Sequence, residues 1–336
     1  MLEDARTQPP LDLVVLGASA GGVRALSDVV RALPADFPAA VLIVLHVAPS
    51  SASMLPQILD RASVLPVAAA RDGEHIEAGH VYVAPPDLHL VVEDGSLRLN
   101  ADARVNGHRP AIDPLFCSAA ELHHEHVTGV VLSGTRDDGT VGLAQIKACG
   151  GVAIVQDPED ADFTGMPVSA IEHVAVDAIL PAGQIADALV RRLAGEPLPG
   201  GTPAAIAVTR EPQGSLLTTV CPECGGVLTE QLDDGVPVWR CNVGHQFGSR
   251  TLAELQGSNV EQALWTAVRT LEDRRALLER LAGRAETRAN VRSARSYRDQ
   301  ADMTNRQTDR IRLTIHELAT SAGVSVAQMA DDESVA

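Results

Sequence analysis

Asp12-Leu13-Val14-Val15-Leu16-Gly17-Ala18-Ser19-Ala20-Gly21-Gly22 is the stretch on which the fold turns. An apolar run without alternation reads as a strand covered on both faces. The small residues after it allow a sharp turn and close backbone approach. A helical pattern from Val23 to Leu33 follows, and Pro34 ends it. Further apolar runs at Val41 to Leu45, Val81 to Ala84, Val127 to Leu132 and Gly151 to Val155 repeat the theme. Leu88 to Val92, then Asp94-Gly95, then Leu97 to Leu99 predicts a hairpin. A helix over Ala182 to Leu193 closes the series. Strands alternating with helices predict an α/β domain with a doubly wound, mainly parallel sheet. A small zinc-ribbon-like module and a long C-terminal helical segment are expected after it.

Composition sets the boundaries. The sheet domain is expected over 10–195, and a Gly- and Pro-rich linker over 196–214. A cysteine-bearing module occupies 215–250, helix 251–322, and a disordered acidic tail 323–336. With 336 residues and 45% hydrophobic content a sizeable core can form, but only 2% of residues are aromatic, so that core must be aliphatic. A net charge of −17 argues against a general nucleic-acid binder. Met1 to Pro10 lacks the basic and apolar regions of a signal peptide, and no run is long enough to insert in a membrane. The five cysteines are too few for a disulfide scaffold, so a reducing cytoplasm is expected.

Gly17-Ala18-Ser19-Ala20-Gly21 has the Gly-x-Ser-x-Gly form of a nucleophile elbow, which exposes a serine hydroxyl at a strand-to-helix turn. The helix start behind it favours developing negative charge. A Gly-rich turn after the first strand is also where a dinucleotide would bind. That reading requires an acidic residue ending the second strand, and Gly-x-Gly-x-x-Gly spacing. Here the second strand ends in His46, and the spacing fails. Serine and histidine at the carboxyl edges of neighbouring strands face one crevice. Val130-Val131-Leu132-Ser133-Gly134-Thr135-Arg136-Asp137-Asp138-Gly139 supplies a third strand end with two aspartates, one of which would orient the imidazole.

These residues resemble the CheB-type protein-glutamate methylesterases of chemotaxis. The resemblance is carried by Gly17-Ala18-Ser19-Ala20-Gly21-Gly22 and by His46-Val47-Ala48-Pro49. It extends to Gly79-His80-Val81-Tyr82-Val83-Ala84-Pro85-Pro86-Asp87-Leu88-His89-Leu90, to Asn106-Gly107-His108-Arg109-Pro110-Ala111-Ile112-Asp113-Pro114-Leu115-Phe116, and to Gly165-Met166-Pro167. It covers about 180 residues in order. It implies Ser19 as nucleophile, His46 as general base and Asp138, directly before the loop glycine, as orienting acid. The implied reaction is hydrolysis of glutamate methyl esters on chemoreceptors with release of methanol, and deamidation of glutamines, without a catalytic cofactor. Ala20 stands where the family has Thr, and Thr135-Arg136 where it has Met-Gly, close to the expected oxyanion position. Met166 belongs to the same vicinity. Arg109 is either a substrate-contacting cation or half of an ion pair. The family's usual N-terminal receiver is not expected, because about ten residues precede the first strand. Ala20 and Arg136 also motivate a second function, a signalling scaffold that kept the fold and binds partners through the module and helix.

Cys221-Pro222-Glu223-Cys224, then Cys241 and His245, read C-x2-C-x16-C-x3-H, the ligand spacing of a closed tetrahedral Zn²⁺ site. Four protein ligands make the metal structural. His89 and His123-His124-Glu125-His126 could also suggest a metal, but surface histidines near helix ends are common. In the helical segment, Val260, Leu264, Val268, Leu271, Leu278 and Leu281 form an apolar stripe for packing on the module or pairing with a second copy as a homodimer. Between 269 and 312, 12 Arg face 7 acidic residues, yet without stacking aromatics no nucleic acid is expected there.

Overall fold

The structure, a computed structural model, describes residues 11–47, 53–199 and 219–321. The expectations for Met1–Pro10, for Ala48-Pro49, for most of the linker and for the acidic tail fall outside these residues.

The sheet domain runs β1 (Leu13–Ala18), α1 (Gly22–Ala32), β2 (Ala40–Leu45), α2 (Leu55–Ala62), β3 (Val67–Ala69) and β4 (Val81–Val83). The hairpin β5 (His89–Glu93) and β6 (Ser96–Asn100) follows, then α3 (Ile112–His123), β7 (Val127–Val131) and α4 (Thr140–Ala148). β8 (Val152–Gln156), α5 (Gly165–His173), β9 (Ala178–Leu180) and α6 (Ala182–Leu193) complete it. Seven strands form one parallel sheet in the order β3-β4-β2-β1-β7-β8-β9.

Alternate residues of each strand feed two cores, as the two-residue period requires. Val14 and Leu16 join α1, α2 and α6 on one face. Leu13 and Val15 join α3, α4, α5 and the β5–β6 hairpin on the other. The chain winds outward from β1 through β2, then returns on the far side of β1 as β7. The crevice above the carboxyl ends of β2, β1 and β7 is thus the topological switch point, where such sheets bind ligands.

Gly142 in α4 shows how tightly the second face is packed. A Cβ there would lie 2.4 Å from the Phe116 Cβ of α3, and the Gly142 N–H donates to Asp113 Oδ1 at 2.8 Å. Gly142→Ala is expected to destabilise the fold by about 2 kcal/mol through this overpacking. A shift of the urea midpoint at unchanged slope would show it; an unmoved midpoint would mean that α3 and α4 separate easily.

The cysteine-bearing segment is a three-stranded antiparallel sheet, β10 (Leu228–Asp233), β11 (Val236–Cys241) and β12 (Gln246–Gly248). It is not set apart from the sheet domain. The compact unit extends to Leu252, and Val236 and Val238 of β11 are buried in the core beneath α3 and α4.

The second unit starts at Ala253. The helical segment expected over 251–322 consists of two helices, α7 (Ser249–Thr287) and α8 (Val291–Ser321). The break falls at Arg288-Ala289-Asn290 and holds neither Gly nor Pro. Ala289 takes a left-handed φ of 57°, and Asn290 Oδ1 caps α8 by accepting the Ser293 N–H at 3.2 Å. Ala294, Ala301, Thr308 and Ile315 are buried on α8 at seven-residue spacing, facing Val268, Leu278, Ala282 and Ala285 of α7. Arg312 pairs with Glu272 and Arg298 with Glu286 across them. The part of the apolar stripe from Val268 to Leu281 therefore packs within the chain, as an antiparallel coiled-coil hairpin, whereas Val260 is exposed. Among the described residues, no helix is long and apolar enough to cross a membrane.

Candidate active site

Ser19 follows β1, His46 follows β2, and Asp138 lies in the loop after β7. The turn that presents Ser19 is fixed from below: its N–H donates to Ser133 O at 2.9 Å, and the Gly22 N–H donates back to Ser19 O at 2.9 Å. Gly21 opens α1 in the left-handed region, φ 72°, where a Cβ would come within 2.6 Å of Ser133 Oγ. Ser133 Oγ in turn donates to Ala20 O at 2.8 Å.

His46 Nε2 lies 2.7 Å from Asp138 Oδ2, and Nδ1 lies 3.1 Å from Ser19 Oγ. An ionised carboxylate only accepts, so Nε2 carries the proton. Nδ1 is then the lone pair that faces the Ser19 hydroxyl. Asp138 is 1% exposed, and four donors converge on it. Oδ2 takes His46 Nε2 and the Ile112 N–H at 2.7 Å. Oδ1 takes Asn106 Nδ2 at 2.9 Å and the Asp113 N–H at 3.4 Å. Burial alone would raise this carboxyl; the hydrogen bond and charge of His46, with the Ile112 and Asn106 donors, override it and hold Asp138 below the usual carboxylate range. Its neighbour Asp113 goes the other way, pushed well above that range by burial and then by the charge of Asp138.

Two residues that the sequence reading assigned no role complete the centre. His108 stacks on His46 with ring centroids 3.7 Å apart and planes 8° from parallel. Burial first, and then His46, lower its imidazole to about 3, so it packs as a neutral plate that fixes the plane of His46. Asn106, 2% exposed, bridges Asp138 and Asp113 through Nδ2. Both lie in the quoted Asn106-Gly107-His108 stretch, which was the available signal.

The remaining expected positions separate. Ala20 sits in the turn, Thr135 is exposed and Arg136 half-buried at φ 66°, the conformation a glycine would take without cost. Met166 is wholly buried, under Gly134, where a Cβ would lie 2.0 Å from its sulfur, so it shapes the turn from inside. Arg109 donates to Asp87 Oδ1 through Nη2 at 2.8 Å and through Nε at 3.1 Å, and to the carbonyls of Ala101 and Asp102. Of its two readings, the structure shows the ion pair. His89 is a core residue, donating from Nε2 to Ala103 O and accepting the Ala111 N–H at Nδ1. His123 and His126 bond to Leu11 O and Asp12.

Cys221, Cys224, Cys241 and His245 form a second cluster, with ligand atoms all within 4.8 Å of one another. Cys224 Sγ–Cys241 Sγ is 3.7 Å, Cys221 Sγ–His245 Nδ1 3.7 Å, and Cys241 Sγ–His245 Nδ1 3.5 Å. A zinc tetrahedron has edges of about 3.8 Å between sulfurs and about 3.6 Å between sulfur and nitrogen. The donor set therefore fits that ion in chemistry and in size. Glu223 Oε2 stands 3.6 Å from the outer nitrogen of His245, where a carboxylate orients a ligating imidazole.

Comparison with known proteins bears on the sheet domain. The CheB methylesterase family model matches residues 14–189. A putative protein-glutamate methylesterase/protein-glutamine glutaminase of Leptospira interrogans is 39% identical over 181 residues, 54% of this chain and 94% of that protein. The protein-glutamate methylesterase/protein-glutamine glutaminase 2 of Anaeromyxobacter dehalogenans is 42% identical over 179 residues, 53% of this chain and 52% of that protein. The crystal structure of the Thermotoga maritima CheB methylesterase catalytic domain aligns at a TM-score of 0.52 and 37% identity, covering 54% of this chain and 98% of that one. With the family model matching more than half of its length, the chain belongs to the CheB methylesterase family.

Proposed function

We propose that the chain hydrolyses glutamate methyl esters on chemoreceptor-like proteins, releasing methanol, and deamidates receptor glutamines at the same centre. The observation that carries the reading is the continuous line Ser19 Oγ, His46 Nδ1, His46 Nε2, Asp138 Oδ2. His46 takes the Ser19 proton as Oγ attacks the ester carbonyl. Donors at the opening of α1 stabilise the oxyanion. His46 then returns the proton to the departing methoxide, which leaves as methanol. Water, activated by the same imidazole, attacks the acyl-Ser19 and frees the glutamate carboxylate. With a glutamine substrate the leaving group is ammonia. Asp138 stays ionised throughout and stabilises the imidazolium.

Catalysis in this scheme uses no cofactor. Cys221, Cys224, Cys241 and His245 hold a structural Zn²⁺, closed to substrate by its four protein ligands. Free thiols in that cluster suit a reducing cytoplasm.

The test is methanol release when the full chain meets a methylated chemoreceptor cytoplasmic domain. Methanol should appear in step with loss of receptor methyl label. If the receptor keeps its label while a methylesterase of known activity removes it, the receptor assignment is wrong.

A further inference from the structure

We propose that the cysteine–histidine module is a working part of the active site: β12 holds Asn106, Asn106 holds Asp138, and metal loading of the module thereby sets the activity of the Ser19 centre. The kinetic arm of this inference rests on the hydrolase reading above; its structural arm does not.

Every polar group of the Asn106 side chain is committed. Oδ1 accepts the Gly248 N–H at 2.7 Å, while Nδ2 donates to Asp138 Oδ1 at 2.9 Å and to Asp113 Oδ2 at 3.1 Å. Its backbone N–H donates to Gln246 O at 2.7 Å. The amide has an oxygen face and a nitrogen face of nearly equal shape. The Gly248 N–H and the two carboxyls select the same orientation, oxygen toward β12 and nitrogen toward Asp138 and Asp113. Without β12 the oxygen loses its donor and the side chain its anchor, so Nδ2 is no longer held on the buried Asp138 carboxylate.

A second tie sits one residue from Asp138. The Asp137 carboxylate caps the start of α7, accepting the Arg250 N–H at 2.9 Å together with the N–H and hydroxyl of Thr251. Gly248 passes so close that a Cβ would fall 2.3 Å from Asp137 Oδ2. The third tie is the 104–108 loop itself, which pairs with Gln246 and carries His108 onto His46. The module therefore grips both sides of the His46–Asp138 pair.

The metal ligands stand at the root of this grip. β11 ends at Cys241, and β12 begins directly after His245. β11 is anchored independently, by Val236 and Val238 in the sheet-domain core. Losing the metal therefore acts on the turn from Cys241 to His245 and on the strand that leaves it. Small metal modules order such turns only when filled.

The test uses the full chain, zinc-loaded and metal-stripped, with hydrogen exchange read by mass spectrometry. Stripping should deprotect 104–113, which holds the Asn106, Ile112 and Asp113 amides, while β1 and α1 stay protected. Unchanged exchange at 104–113 overturns the proposal, whatever the protein hydrolyses. In the second measurement, turnover of p-nitrophenyl acetate should fall about 10- to 100-fold in kcat on stripping, and return when Zn²⁺ is added back. Asn106→Ala should show most of the same loss with zinc bound and a much smaller further loss on stripping, carried by the Asp137 and 104–108 ties, the non-additivity expected of groups acting largely in series. A general weakening of the fold would instead make the two losses multiply, and that result, or wild-type kcat in the zinc-loaded variant, overturns the clamp. If the zinc-loaded wild type hydrolyses neither this ester nor a methylated receptor, the hydrolase reading fails, and the exchange pattern alone decides the clamp.

Discussion

Ser19→Ala is expected to lower kcat for ester hydrolysis by a factor on the order of 10⁶, the scale of losing the nucleophile of a serine triad, and to leave the fold intact. The hydroxyl is half-buried, and its described hydrogen bond is the one to His46. The contacts that hold the turn use backbone groups instead, the Ser19 N–H and carbonyl, and alanine keeps them. Thermal stability should therefore stay within about 0.5 kcal/mol of wild type. Among the described residues, Ser133 cannot substitute. Ser133 is 1% exposed, and its Oγ is engaged with Ala20 O and with the Phe163 N–H. The measurement is turnover of a small activated ester by the folded variant, with covalent capture by a fluorophosphonate in parallel. Wild-type labelling that disappears in Ser19→Ala identifies the nucleophile. Turnover within tenfold of wild type, or labelling that survives, would mean that the acyl group is carried elsewhere.

The sheet was legible because its central strands are buried on both faces, and burial leaves uninterrupted apolar runs such as Val41 to Leu45. The edges were not. β3 and β9 have three residues each, too short to carry a pattern. Helices α3 and α4 are buried over most of their surface, so they lack the polar face that reveals a helix at the protein surface. The end of α7 was hidden for another reason: Arg288-Ala289-Asn290 contains none of the usual helix breakers, and the hairpin closes through its small-residue seam.

Ser19, His46 and the pair Asp137-Asp138 could be nominated because each follows an apolar run, and the ends of neighbouring parallel strands must share a crevice; the choice of Asp138 within the pair is what the family resemblance implies. Their supports could not. Asn106 and Asp137 owe their roles to β12 and to the first turn of α7, which lie more than a hundred residues later in the chain and are brought in by tertiary packing alone. Linear spacing treated the cysteine segment as a separate domain behind a linker, because Cys221 to His245 explains itself as a metal site. The contacts of Gly248 and Thr251 join it to the catalytic loop.

Those contacts also shape the result expected for Asp138→Asn, a loss in kcat of about 10⁴, the scale of the equivalent change in other serine triads. An amide has one oxygen, and all four groups around Asp138 are donors. If the NH₂ takes the Oδ2 position, it opposes the Ile112 N–H and can only donate to His46 Nε2. The imidazole proton is then driven to Nδ1, and Ser19 faces a donor where it needs a base. If the NH₂ takes the Oδ1 position, it opposes the Asp113 N–H and Asn106 Nδ2. Asn106 cannot turn to receive it without giving up the Gly248 N–H. Either placement leaves a buried donor unpaired, so a stability loss of about 1–3 kcal/mol should accompany the loss of activity. Releasing Asn106 by stripping the module of metal should relieve the second placement. The variant's residual turnover should then fall less on stripping than wild-type turnover does. Turnover within tenfold of wild type in the folded Asp138→Asn protein would show that His46 is oriented by something other than this carboxylate.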